Sequence, residues 1–175
     1  LDPSFLTSAD NVMLRESGRI SFRKGLKQKV VPTGTAIGSI VEHNDSGTNK
    51  IFASHGTSIY TIDFTAPNAA FPSSGADVKH TVGSSTGDWQ FINFNERLHC
   101  FHSGIVPQRY DGALGSGSKW AAFNNSTKPS GLTTFDPSCG MGFYGRMFVG
   151  GVTEEKAVLY YSVLLDGDDY TGTGS

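Results

Sequence analysis

A short apolar strand, a glycine and a returning strand that carries a tyrosine occur three times in this chain. That recurrence limits the fold more than any other feature. The clearest copy spans residues 146–162, RMFVGGVTEEKAVLYYS. Met147-Phe148-Val149 runs into Gly150 and Gly151, and a second strand over 157–162 returns. Glycine supplies the backbone freedom a turn needs, and β-branched and aromatic residues suit a pleated, half-buried surface. The earlier copies are Lys50-Ile51-Phe52-Ala53 with Gly56 and Ile59-Tyr60, and Arg97-Leu98-His99-Cys100-Phe101 with Gly104 and Arg109-Tyr110-Asp111. The tyrosines Tyr60, Tyr110 and Tyr160 recur about every 50 residues, and the basic residues Lys50, Arg97 and Arg146 about every 48.

Strand-rich periods of 40 to 50 residues are the signature of propeller blades, which bury their faces by stacking on neighbours. Upstream apolar runs at 37–41, 89–94 and 143–144 give three or four strands per unit. The expected fold is all-β, a propeller-like array of short antiparallel blades. Residues 1–35 read as an extended N-terminal segment with a basic strand, and 36–175 as about three β units, incomplete at the C-terminus. The chain opens on Leu1 and closes in a polar tail, so the expectation is a piece of a longer chain. Three units also fall short of the four blades a closed ring needs.

Charged residues make up only 17% of the chain, below the usual quarter, and glycines number 22. This mixture suits short strands, turns and long loops. It also suits surfaces covered by neighbouring subunits. No sustained 3.6-residue apolar period argues for helix, and no apolar run is long enough to span a membrane as one. One helical turn is the reading at Val12-Met13-Leu14. Residues 19–24 read as a strand, with Ile20 and Phe22 on one face and Arg19, Ser21 and Arg23 on the other. Hairpins are expected over Asn44-Asp45-Ser46-Gly47 and Asn95-Glu96, and loops over 65–77 and 113–136, the latter anchored by Trp120 and Phe123. Pro107 marks an edge, because proline cannot donate to a ladder.

No catalytic constellation emerges. His99-x-x-His102 has a metal-like spacing, but strand alternation sends the two rings to opposite faces. Asp166, Asp168 and Asp169 resemble the start of a calcium loop that lacks its later ligands, so an acidic turn is the reading. Phosphate loops, nucleophile elbows and zinc-type cysteine pairs are missing from the sequence. The expectation is therefore no enzyme, no cofactor and no metal. Cys100 and Cys139 read as free thiols of a protein assembled in a reducing cytoplasm. Residues 15–29 hold six basic residues against Glu16, a net +5; the chain totals −2, so the remainder carries −7. This basic strand suits an acidic neighbouring subunit or a solvated, aggregation-resistant edge, and DNA less well, because the chain as a whole is not basic.

Three passages in this order resemble the tail hub or nozzle proteins of short-tailed bacteriophages, including the packaged-DNA stabilisation proteins. They are Asp10-Asn11-Val12 with Gly18-Arg19-Ile20-Ser21-Phe22-Arg23-Lys24-Gly25, the repeated strand-glycine-tyrosine unit, and Arg146 to Gly151 followed by Leu159-Tyr160-Tyr161-Ser162 and Asp166-Gly167-Asp168-Asp169-Tyr170. Tyr170 stands where that pattern calls for tryptophan. The resemblance implies a virion structural protein of the tail, assembled in the host cytoplasm. It implies a homo-oligomeric ring, with six copies the favoured number, below the portal and adaptor. Such a ring retains packaged DNA and gives it a path out without sequence-specific binding or membrane insertion. Arg19, Arg23 and Lys24 are the expected subunit-interface residues. Two alternatives stand beside it. One is a phage tail fibre or receptor-binding module that recognises a host glycan through loops such as 65–77 and 112–136. The other is a fragment of a host or secreted propeller enzyme.

Overall fold

Three two-residue turns set the architecture of the chain, described here from a computed structural model. The structure describes residues 12–14, 20–22, 30–32, 37–55, 58–62, 69–71, 78–81, 89–114 and 119–172. Ser46-Gly47, Asn95-Glu96 and Tyr144-Gly145 place both their residues at positive φ (51° and 88°, 47° and 60°, 47° and 70°). Positive φ at both positions is what a type I′ hairpin requires, and its twist matches that of the strands it joins. Starting at 46, 95 and 144, the turns are 49 residues apart at each step. They hold equivalent places in their hairpins, which the evenly spaced tyrosines do not.

Three short strands come first: β1 (Val12–Leu14), β2 (Ile20–Phe22) and β3 (Val30–Pro32). The first turn joins β4 (Ile37–Asp45) to β5 (Thr48–His55), and β6 (Ser58–Ile62) follows. After β7 (Ala69–Phe71), β8 (Val78–Thr81) completes sheet 1, ordered β4-β5-β6-β8. Sheet 2 is β9 (Gln90–Phe94), β10 (Arg97–His102), β11 (Ile105–Tyr110) and β12 (Trp120–Ala122), in sequence order. Sheet 3 is β13 (Cys139–Phe143), β14 (Arg146–Gly150) and β15 (Leu159–Tyr161). All three sheets are antiparallel meanders. The all-β expectation holds: among the described residues the only helical element is a single 3-10 turn, Asn125–Thr127.

Several local expectations are corrected. Val12–Leu14 is a strand paired with Ile20–Phe22, not a helical turn; three residues are too few to close a helix against a ready strand partner. The loop expected over 65–77 contains β7, which pairs in parallel with β3. The loop expected over 113–136 contains β12, although Trp120 and Phe123 are buried anchors as read. Pro107 lies inside β11, between β10 and β12, not on an edge. The β10–β11 register shifts between Cys100 and His102, opposite the proline, so the ladder forgoes its missing N–H there, and the Pro107 carbonyl accepts from Phe123 N at 2.8 Å. The tyrosines are only partly equivalent. Tyr60 faces Ala53 and Tyr160 faces Val149, both three residues after the basic opener, whereas Tyr110 faces Leu98, one residue after it.

The sheets stack face on face in chain order. One face of sheet 1, with Val41, Phe52 and Ile59, meets Leu98, Cys100, Tyr110 and Trp120 of sheet 2. The opposite face of sheet 2, with Ile92, Phe94 and Phe101, meets Met147, Val149 and Tyr160 of sheet 3. Gly140 and Gly142 make the second seam close: a Cβ on them would stand 3.0 Å from a Phe101 ring carbon and 2.9 Å from one of Phe94. Phe123, Phe135 and Tyr170 fill its far end, with the Phe135 and Tyr170 rings 4.8 Å apart. Each such buried side chain contributes about 1.5–3 kcal/mol. The first strands of successive sheets are neighbours. Asn93 on β9 donates to the Glu42 carbonyl on β4 at 2.8 Å, and Gln90 on β9 exchanges two hydrogen bonds with the Gly140 backbone on β13.

Candidate functional site

The charged and polar side chains of the interior gather at the two seams. At the first, Lys50 is the third residue of β5, close to the turn that ends β4 at Asp45. Lys50 Nζ donates to Asp45 Oδ2 at 2.5 Å and to the Tyr110 hydroxyl of sheet 2 at 2.7 Å, and that hydroxyl donates to Asp45 Oδ2 at 2.8 Å. The ammonium also lies 5.2 Å from the centre of the Tyr110 ring. The hydrogen bond from Lys50 holds the Asp45 carboxyl below its usual range, and burial raises the Tyr110 phenol. Gly112 passes so close that a Cβ there would overlap Asp45 Oδ1 at 1.7 Å. Beside this triangle, buried His43 donates from Nδ1 to Asn93 Oδ1 at 2.7 Å and meets the Tyr110 ring edge-on.

At the second seam the acidic turn closes onto sheet 2. Arg97 opens β10 and donates to Asp111 Oδ2 at 3.0 Å and to Asp168 Oδ2 at 3.2 Å; Arg109 on β11 also pairs with Asp168. Asp166 lies 3.8 Å from Arg97 and accepts from the Asp168 backbone N–H, which fixes the turn. Thr127 Oγ1 donates to the Asp168 carbonyl at 2.7 Å, and Tyr170 N donates to the Thr127 carbonyl, seating Tyr170 in the core. His99 Nδ1 is 3.7 Å from Asp168 Oδ1. The ring is only 3% exposed, and burial, with Arg97 and Arg109 nearby, lowers its pKa to about 4. It is therefore neutral at pH 7, and a neutral imidazole between an aspartate and two guanidiniums adds no charge to the cluster. These ion pairs hold the segment after sheet 3 against β10 and β11.

A cleft of about 490 Å³ lies between the turn ends of sheets 1 and 2, lined by Asn44, Asn49, Asn93, Phe94 and Asn95 with Glu42 and Glu96. The amides are largely engaged within the protein. Asn44 bonds Asn49 and accepts from Gly47 N, Asn93 bridges His43 and Glu42, and Asn95 donates to the Leu165 carbonyl. The cleft therefore retains exposed carboxylates and spare amide lone pairs, a setting for a polar ligand with hydroxyl donors.

Arg19, Arg23 and Lys24, the expected interface residues, lie outside the described residues, as does most of the basic stretch 15–29. His99 and His102 diverge as strand alternation requires: His99 turns to Asp168, and His102 packs on Trp89 with ring centres 5.0 Å apart. No metal-holding group of His, Cys, Asp and Glu occurs among the described residues. Cys100 is a buried free thiol, its pKa pushed up by burial, and Cys139 is an exposed one. Sequence reading missed the ionic role of Asp168. The signal was present in the recurring basic openers, but their partners lie 60 and 71 residues away in the chain. No protein-family model, curated protein or solved structure matches this chain.

Proposed function

We propose that this chain is a structural protein of a bacteriophage tail, a hub or nozzle component whose sheets act as blades of a propeller-like array. The observation that carries this reading is the serial stacking. Three meanders with equivalent turns pack face on face, their first strands are neighbours, and a basic residue early in the second strand of sheets 1 and 2 ties successive units together. Such an array, with apolar seams closed by buried side chains and ionic ties, suits the wall of a conduit. The tie to a tail comes from the order of the sequence passages around Arg19–Gly25 and 146–170.

In this reading, copies associate head to tail around an axis, because a heterologous contact repeated by a closing rotation makes a ring. Arg19, Arg23 and Lys24 provide the basic side of that contact, and the portal and adaptor lie above it. Genomic DNA passes through without base readout. No cofactor or catalytic step enters this function. The test is imaging of virus particles with the chain tagged. An axial ring between portal and tail tip supports the reading, and peripheral spikes refute it. Paired charge reversal, Arg19→Glu with Arg23→Glu, is expected to weaken ring assembly; rings of unchanged yield remove these residues from the interface.

The amide-lined cleft favours a second reading, a receptor-binding module that takes a host glycan at Asn44, Asn49 and Phe94. Binding on a glycan array that disappears with Asn49→Ala, while the fold stays intact, would replace the hub reading.

A further inference from the structure

The two faces of each sheet are not alike, and the difference repeats. In sheet 1 the face bearing Phe52 is covered by sheet 2, and in sheet 2 the face bearing Phe101 is covered by sheet 3. Counted from the turns, Phe52 and Phe101 both stand five residues after Gly47 and Glu96, and Phe148, three residues after Gly145, points to the same face of its sheet. On its face lie Cys139, Met141 and Phe143 of β13 and Leu159 and Tyr161 of β15, brought together by the pairings Met141–Phe148–Tyr161 and Cys139–Gly150–Leu159. This face is open: Met141 is 56% exposed, Phe143 53% and Leu159 63%. An aromatic and aliphatic sheet face of this kind marks an interaction surface.

The basic residues point the same way. Lys50 of sheet 1 reaches the Tyr110 hydroxyl of sheet 2, and Arg97 of sheet 2 reaches Asp168 in the segment that follows sheet 3. Arg146 opens β14 as Arg97 opens β10, yet it folds back. Its Nη1 donates to the Ser162 carbonyl at 2.6 Å, and its guanidinium lies 5.2 Å from the centre of the Tyr161 ring.

We infer that the Phe148 face of sheet 3 is the seat of a further antiparallel sheet of this same repeat. The incoming sheet presents a face like that of Leu98, Cys100 and Tyr110 in sheet 2, together with a carboxylate or hydroxyl that accepts from Arg146. Continuity with the two existing seams selects this occupant, since both join the same pair of unlike faces. A second copy docking through its own Phe148 face would pair two like faces and bring two Arg146 guanidiniums to one interface. The inference rests on the propeller-like reading of the array but not on its place in a phage tail.

Cys139 reports on this face directly, because its thiol is exposed there while Cys100 is buried. The test compares the 175-residue chain with the same chain extended, after residue 175, by a second copy of its residues 78–138, which keeps the 49-residue spacing of the turns and in which the Cys100 equivalent is alanine. Maleimide labelling of Cys139 is expected to slow at least tenfold in the extended chain. It is expected to return to the parent rate when Leu159→Asp is introduced into sheet 3. Undiminished labelling of the extended chain overturns the inference, as does an appended unit that stays unstructured by hydrogen exchange while the parent sheets are protected. Protection that appears in the unextended chain with rising concentration, together with a doubled mass by sedimentation, assigns the face to a second copy and overturns it equally. Particle imaging tests the hub reading separately, so either can fail without the other.

Discussion

The buried His99 makes acid sensitivity of this fold a calculable quantity. Its ring is 3% exposed beside Arg97 and Arg109, with Asp166 and Asp168 as the facing carboxylates, and its pKa falls from 6.5 to about 4. Above pH 6.5 the imidazole is neutral in both folded and unfolded chains, and it contributes no pH dependence. Between about pH 6.5 and 4 the unfolded chain binds a proton that the folded chain refuses, so stability falls as pH falls. With those two values the loss is about 1.4 kcal/mol at pH 5.5 and about 2.6 kcal/mol at pH 4.5, approaching about 3.4 kcal/mol below pH 4. Paired carboxylates add their own acid sensitivity, so the informative quantity is a difference. Urea unfolding of the parent and of His99→Gln at pH 7.5, 5.5 and 4.5 isolates it: the parent should lose more stability than the variant by the amounts given. Parallel losses in the two proteins would show that His99 protonates without resistance and that the burial argument is wrong.

Asp168→Asn removes the acceptor shared by Arg97 and Arg109. The expected cost is about 2 kcal/mol, below the roughly 3–5 kcal/mol of a fully buried pair because both arginines keep some water; denaturant midpoints measure it, and a change under about 0.5 kcal/mol would reduce the cluster to surface decoration. Gly167→Ala places a Cβ 2.8 Å from His99 Cε1 and should cost about 1–3 kcal/mol. Combining it with His99→Ala should recover part of that loss in a double-mutant cycle, and strict additivity would remove the clash from the account. Thiol titration should find one fast group, Cys139, and a second, Cys100, that reacts only on unfolding; two fast thiols in the native protein would contradict the packing of the first seam.

Much of the fold is legible in the residues, because the relevant physics is local. Alternation of Leu98, Cys100 and Tyr110 against His99 and Arg109 gives strands with two distinct faces, and Asn44 to Gly47 and Asn95-Glu96 announce their turns. Tyr144-Gly145 is harder to see, since tyrosine in the left-handed region is uncommon and the pair reads as the end of an apolar run. Pro107 misleads for a similar reason. A bulge that excuses a missing donor depends on the partner strand, and nothing next to the proline announces it. The acidic turn shows the same limit at the seams. Asp166, Asp168 and Asp169 are recognisable as a turn, but what Asp168 binds depends on where β10 and β11 come to rest.

An all-β chain of repeating strand-turn-strand units is written in the local pattern, because strand period and turn chemistry act within a few residues. How those units meet is a matter of packing. Packing matches Phe52 with the Leu98 face and Phe101 with Gly140 and Val149, turns Lys50 and Arg97 into ties between successive units, and leaves the Phe148 face open. Those outcomes depend on which faces are complementary in shape and charge, and complementarity between residues 40 to 70 positions apart is set by packing rather than by any local pattern.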